Sequence, residues 1–252
     1  MINIAVYYSG HIRNFKDIIL NHKRIFKYDN ITFDFYFTFW RKNHSSLNDS
    51  WDYNNKNNKN LVEICNITED DVYKICPNAK NVTILEEHIL TPEYDGYKPS
   101  LIFQLYSLYN SYITLPGTYD LYVRMRADTY FFKEIDWGNI IKNKDSYDIF
   151  LPELVWLDKP NFPKNDKFND YFWISSYETG KYICNLYKDI VLLDSTNKTD
   201  ILETVFCKYL TNKFKILNIP IDITLERKTR GFDIGEETTV STERRLREGM
   251  FI

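Results

Sequence analysis

The first forty residues constrain the fold most. Ile2–Tyr8 is a short apolar run, Ser9-Gly10-His11 has turn chemistry, and Ile12–Phe26 sets Ile12, Phe15, Ile19 and Phe26 near helical spacing. Phe33–Trp40, with six aromatic residues in eight, is a second strand. Strand, helix, strand is the unit of a parallel sheet, because parallel neighbours need a crossover that returns over the sheet face. A chain that opens this way is expected to be α/β.

The alternation continues downstream. Thr68-Glu-Asp-Asp opens a capped short helix, and Asn81–Glu86 is a third strand. Pro99–Leu115 is an amphipathic helix with Leu101, Leu105, Leu108 and Tyr112 on its stripe, ended by Pro116-Gly117. Tyr119–Tyr130 reads as one strand, Asp136–Lys144 as a short helix and Asp148–Leu151 as a strand. Phe168–Ser175 is extended, Tyr177–Leu193 and Asp200–Asn212 are helices, and Ile216–Leu225 is a last β segment. Two polar stretches, Asn43–Asn60 and Trp156–Lys167, read as loops of the kind that serve as lids or stay disordered. They interrupt the alternation without ending it. One domain over 1–225 is expected, followed by a charged extension, 226–252.

Composition narrows the partners. A net charge of −3 gives no basic field for a nucleic-acid backbone, which argues against DNA or RNA. No apolar run approaches the length of a membrane span, and Met1–Tyr8 reads as a strand rather than a signal peptide. Cys65, Cys76, Cys184 and Cys207 have no CxxC spacing and read as free thiols of a reducing, cytoplasmic setting. Aromatic residues reach 17%, which suits stacking on sugars and bases but equally suits an AT-rich coding bias.

Chemistry concentrates in Tyr119–Tyr130. As a strand, it puts Leu121, Val123, Met125 and Ala127 on one face and Tyr122, Arg124, Arg126 and Asp128 on the other. Desolvated guanidiniums need anionic partners. Asp128 stands at the strand's carboxyl end, where open α/β sheets bind ligands. Two cations beside one carboxylate suit a phosphorylated ligand, with a divalent cation on Asp128; the competing reading is an ion network that only holds the fold. Ser9, Gly10 and Arg13, at a strand-to-helix turn, suit an anion. Asp170, flanked by aromatic residues near a cleft, is the candidate general base with a raised pKa. Glu203, in the first turn of a helix, is assigned to the helix dipole. Glu153 is a further candidate, and Gln104 faces away from its helix's leucine stripe, toward ligand or solvent.

Ser9-Gly10-His11-Ile12-Arg13 after the first strand, the Phe33–Trp40 run, Gln104-Leu-Tyr-Ser-Leu, Tyr119–Asp128, Asn169-Asp170-Tyr-Phe-Trp-Ile-Ser and Ile201-Leu-Glu203-Thr occur in that order. In this order the chain resembles a group of small GT-A-type glycosyltransferases found in bacterial surface-polysaccharide clusters and large DNA viruses. The resemblance implies a GT-A-like (Rossmann-like), mostly parallel central sheet flanked by helices. It also implies a nucleotide-sugar donor, such as a UDP-sugar, over the sheet's carboxyl edge, and a glycan hydroxyl as acceptor. Ser9, Gly10, Arg13, Gln104, Arg124, Arg126 and Asp128 are then donor-binding and Asp170 catalytic. Asp128 lies where the group carries Asp-x-Asp, the ligand set of Mn2+ or Mg2+; this chain has Asp128-Thr129-Tyr130, with one carboxylate. A nucleotidyltransferase and an inactive sugar- or nucleotide-binding module are the alternatives. The first lacks the Gly-rich basic signature it usually shows after strand one.

Overall fold

The computed structural model describes residues 1–12, 15–41, 67–86, 91–153, 168, 170–192 and 202–225. Arg13, Asn169, Asp200, both polar stretches and the 226–252 extension lie outside the described residues. Among the described residues the strands and α-helices follow in the order β1 (Ile2–Gly10), α1 (Phe15–Ile25), β2 (Ile31–Trp40), α2 (Glu69–Ile75), β3 (Ala79–Leu85), α3 (Pro99–Ile113), β4 (Leu121–Met125), β5 (Thr129–Phe131), α4 (Trp137–Asn143), β6 (Ile149–Pro152), β7 (Phe172–Ser175), α5 (Tyr177–Asp189), α6 (Leu202–Leu210), β8 (Ile216–Ile219) and β9 (Ile223–Leu225).

Seven strands form the central sheet in the order β3-β2-β1-β4-β7-β6-β8. All neighbours are parallel except β7, which runs antiparallel to both β4 and β6. The expected mostly parallel α/β architecture is what forms. β1 lies inside the sheet and is covered on both faces, which is why its sequence is apolar without strict alternation. Ile4, Val6, Tyr8, Val123, Met125 and Phe172 face a core with Phe15, Val72 and Trp137 of α1, α2 and α4. Ala5, Tyr7, Tyr122 and Trp173 face a second core with Leu105 of α3, Ile183 of α5 and Phe206 of α6. Each large side chain fully buried this way contributes roughly 1.5–3 kcal/mol.

Local signals explain the helix ends. Thr68 and Asp71 close a reciprocal capping box on α2, as the sequence suggests. Pro99 sits at the start of α3, where its missing N–H costs nothing. Asp136 and Ser176 cap α4 and α5 by accepting from the N–H groups of Asn139 and Thr179.

Three boundaries differ from expectation. Ser9 and Gly10 are not turn residues: they extend β1 and pair with Thr38 and Phe39. The run Tyr119–Tyr130 is not one strand. β4 stops at Met125, and the Thr129 N–H donates to the Arg126 carbonyl (3.3 Å) across a turn. The chain then enters β5, which pairs with β9 in a separate two-stranded sheet. The segment Ile216–Leu225 likewise divides between the two sheets, and Pro220, which has no N–H to give a ladder, marks the break. Cys76, Cys184 and Cys207 are free thiols, as expected. Among the described residues no helix is long and apolar enough to cross a membrane.

Candidate functional site

β1 and β4 end, and β7 begins, at one edge of the sheet. The register pairs Tyr8 with Met125 and Met125 with Phe172, so Gly10, Arg126 and Asp170 all lie just beyond the same row. The Arg126 N–H donates to the Tyr171 carbonyl (3.0 Å), carrying the β4–β7 pairing one step past the strands. α6 sets Glu203 of its first turn against Asp170.

The turn after β4 is held from below by α1. The Asn21 side-chain amide donates to the Phe131 carbonyl (2.8 Å) and accepts from the Phe131 N–H (2.9 Å), as an added strand residue would. Arg24 donates to the same carbonyl (3.1 Å). His22, which is buried, contacts the Thr129 carbonyl through Nε2 and the Tyr8 hydroxyl through Nδ1 (3.2 Å). A carbonyl only accepts, so the proton sits on Nε2 and Nδ1 accepts from Tyr8. Burial pushes the His22 pKa down to about 4, against the opposing pull of the Thr129 bond and the Asp128 charge.

The side chains of this edge form an ion cluster. Arg126 donates through Nε and Nη2 to the two oxygens of Asp128 (3.0 Å each) and through Nη1 to Asp170 Oδ2 (2.9 Å). Asp128 and Asp170 are 1% and 2% exposed, so these are desolvated, charge-assisted bonds. Burial works against the charge on Arg126, but the two carboxylates outweigh it and hold its pKa above the ordinary range. Arg124 lies two residues earlier, inside β4, 4% exposed, paired in register with Tyr7 and Trp173, its guanidinium 5.3 Å from the Trp173 ring centroid. Its Nε and Nη1 find no acceptor among the described residues, and burial lowers its pKa to about 10. Ser9, on the same face, is buried with its hydroxyl also unpartnered among the described residues.

The two acids of the site divide differently from expectation. Burial raises the pKa of Asp170, but Arg126 and Arg124 override it, leaving the carboxylate below its usual range. The raised group is Glu203, pushed up to about 8 by burial first and by the Asp170 charge second. Glu203 does stand in the first turn of α6, where a backbone hydrogen bond favours its charged form, but burial and the Asp170 charge outweigh that. Sequence reasoning missed this contact, although a signal existed. Glu203 is three residues before buried Phe206, on the side of α6 that meets the core.

The remaining candidates scatter. Gly10 has φ 109°, and a Cβ added there meets nothing within 4 Å, so the backbone edge is open at this point. Gln104 is exposed on α3, on the side away from buried Leu101, Leu105 and Leu108. Glu153 is exposed beyond β6, its N–H donating to Ile219 (2.8 Å). A divalent cation does not fit the described residues. Both Asp128 oxygens accept from Arg126, and no three His, Cys, Asp or Glu side chains among the described residues converge as a metal set.

Among solved structures the chain is similar to 4-diphosphocytidyl-2C-methyl-D-erythritol synthase from Anaerococcus prevotii, at 9% identity and TM-score 0.47 over 88% of this chain and 89% of that one. It is similar to the glycosyltransferase GlyE of Streptococcus pneumoniae at 8% identity and TM-score 0.47, over 86% of this chain and 45% of that one. It is similar to mouse xyloside xylosyltransferase 1 at 7% identity and TM-score 0.44, over 86% of this chain and 84% of that one. No family model and no curated protein matches the chain.

Proposed function

We propose that this chain is a GT-A-like glycosyltransferase that moves a sugar from a nucleotide-diphosphate donor to a hydroxyl of a glycan acceptor. The observation that carries this reading is Arg124. A buried guanidinium whose Nε and Nη1 find no acceptor among the described residues is costly, and an anion that reaches them offsets that cost. The Ser9 hydroxyl, without a partner among the described residues, is a second donor on the same face, and the open backbone at Gly10 leaves room for a ligand to approach closely. The ordered sequence resemblance supplies the ligand class, a nucleotide sugar.

In this reading Arg124 takes the diphosphate charge that develops as the anomeric C–O bond breaks. Arg126 is committed to Asp128 and Asp170. It sets the edge's geometry and neutralises two carboxylates that otherwise repel a diphosphate. No step passes through a metal.

The test is a thermal-shift panel of UDP-, GDP-, dTDP- and CMP-linked sugars, with and without Mn2+, followed by an assay for nucleotide release. At a hundredfold excess over Kd a ligand adds about 2.7 kcal/mol, a Tm rise of roughly 5–10 °C for a chain of this size. One nucleotide sugar is expected to give that rise in the wild type and not in a folded Arg124→Gln variant. A panel without response, or an equal response in Arg124→Gln, overturns the assignment. A response to CTP or UTP with release of pyrophosphate, and none to a nucleotide sugar, moves the site to nucleotidyl transfer.

A further inference from the structure

We infer that Asp170 determines which sugar the site takes: its second oxygen, Oδ1, accepts the O–H of one hydroxyl on the transferred sugar. The inference deepens the glycosyltransferase reading and rests on it for the ligand.

The sheet edge holds buried polar atoms of both kinds that do not satisfy one another. Asp170 Oδ2 accepts from Arg126 Nη1 at 2.9 Å, whereas Oδ1 is buried and accepts nothing among the described residues. Nε and Nη1 of Arg124 are donors without an acceptor there, and the Ser9 hydroxyl has no partner there either. Asp170 and Arg124 are 2% and 4% exposed. A buried carboxylate oxygen that accepts nothing costs free energy, and so does a buried guanidinium N–H that donates to nothing. Arg126 cannot relieve Oδ1, because its Nε, Nη1 and Nη2 are already committed to Asp128 and to Oδ2.

The group that fits is narrow in chemistry. Oδ1 only accepts, so its partner donates. A phosphate oxygen brings a second anion and no proton. An ammonium is repelled by the guanidiniums of Arg126 and Arg124, which both act on Asp170. A neutral donor remains. A sugar hydroxyl donates to the carboxylate and accepts from a neighbouring N–H through one and the same oxygen. The guanidiniums keep Asp170 ionised, which makes it a strong acceptor of a hydrogen bond and a weak remover of protons.

Strand order puts the sugar at this residue. β1, β4 and β7 are successive neighbours, with Gly10 ending β1, Arg124 inside β4 and Asp170 just before β7. A donor laid across this edge with its diphosphate at Arg124 has its nucleoside and its sugar on opposite sides of β4. With the nucleoside at the open Gly10 backbone, the sugar falls at Asp170.

The test uses the full chain and the nucleotide sugar that the panel identifies, with analogues in which one sugar hydroxyl at a time is replaced by hydrogen or by fluorine, which cannot donate. At one position both analogues are expected to bind the wild type roughly tenfold or more weakly than the parent, because they leave a buried polar group unpaired. In Asp170→Asn the amide oxygen still accepts from Arg126 and an NH2 group replaces Oδ1. That variant is expected to narrow the ratio to within about threefold and to raise the donor KM, with kcat within about tenfold of wild type. It is expected to bind the free nucleoside diphosphate no more weakly than the wild type does. Equal affinity of the wild type for the parent and every analogue overturns the inference, whether or not the variant folds. A ratio unchanged in Asp170→Asn overturns Asp170 as the reader of the hydroxyl. Weakened binding of the free nucleoside diphosphate puts a ribose hydroxyl at Asp170 and overturns the sugar assignment. A kcat lowered roughly 100-fold with the donor KM unchanged makes Asp170 a proton acceptor and overturns the inference as well. A panel in which no nucleotide sugar binds overturns the glycosyltransferase reading and this inference together, whereas an active donor with no dependence on any hydroxyl overturns this inference alone.

Discussion

At the scale of single residues, Arg126 is the member whose role the structure changes most. Alternation along Tyr119–Asp128 makes it legible that Arg124, Arg126 and Asp128 share a face. It does not tell that the chain turns after Met125, so that Asp128 meets Arg126 side-on, nor that Asp170, 44 positions away, completes the cluster. Such partners come from tertiary contact, and no local pattern encodes them. The same holds for Asp170 and Glu203. An aromatic-flanked aspartate suggests a raised pKa, but the sign is set by which guanidinium points at it. The cluster makes a sharp prediction. Arg126→Met removes the guanidinium that donates to both buried carboxylates and is expected to lower stability by about 3–5 kcal/mol. Adding Asp128→Asn and Asp170→Asn to Arg126→Met is expected to recover most of that loss, because the uncompensated charges go. Urea denaturation of the three chains checks it, and an Arg126→Met midpoint equal to wild type removes the cluster from the fold's support.

At the scale of elements, the helices and most strands are readable, and the direction of β7 is not. A four-residue apolar strand such as Phe172–Ser175 looks the same from either end, since a period of two has no polarity. Its reversal follows from the chain path and brings Asp170 to the carboxyl edge of β4. Boundaries shift where a side chain replaces a backbone partner: β5 is extended by the Asn21 amide, which no strand propensity anticipates. The α3–α5 contact depends on one glycine. A Cβ on Gly180 falls 2.7 Å from Tyr112 Cε2 and 2.9 Å from its hydroxyl oxygen. The Tyr112 ring is 2% exposed, packed against Tyr7 and Tyr177, and its hydroxyl donates to the Tyr177 carbonyl, so it has nowhere to move. Gly180→Ala is therefore expected to destabilise by about 1–3 kcal/mol, despite alanine's better helix propensity. Gly180→Ala combined with Tyr112→Phe is expected to recover part of it. Equilibrium unfolding decides, and a stabilised Gly180→Ala chain means that α5 and α3 are not in this contact.

At the scale of the whole molecule, buried His22 and half-buried Glu203, on opposite faces of the sheet's edge, set the pH range of stability. The His22 pKa falls from 6.5 to about 4 on folding, so the folded state binds fewer protons between those values. Its contribution is present above pH 6.5 and is lost as pH falls toward 4. The Glu203 pKa rises from 4.5 to about 8, so the folded state binds more protons between those values. Its contribution is present below pH 4.5 and is lost as pH rises toward 8. From about pH 4.5 to 6.5 the two slopes oppose each other and offset. From 6.5 to 8 Glu203 acts without His22, and stability is expected to fall with rising pH by up to about 1.4 kcal/mol per unit, the limit for one proton. Glu203→Gln removes that slope. His22→Gln, whose amide still donates to the Thr129 carbonyl, removes the opposing one and makes stability fall with rising pH from about 4.5 onward. Urea midpoints of the three chains at half-unit steps from pH 4 to 9 measure both. Parallel curves for wild type and Glu203→Gln between pH 6.5 and 8 mean that Glu203 carries no proton in the folded state at neutral pH, and the carboxyl pair at the sheet edge is then two separate anions.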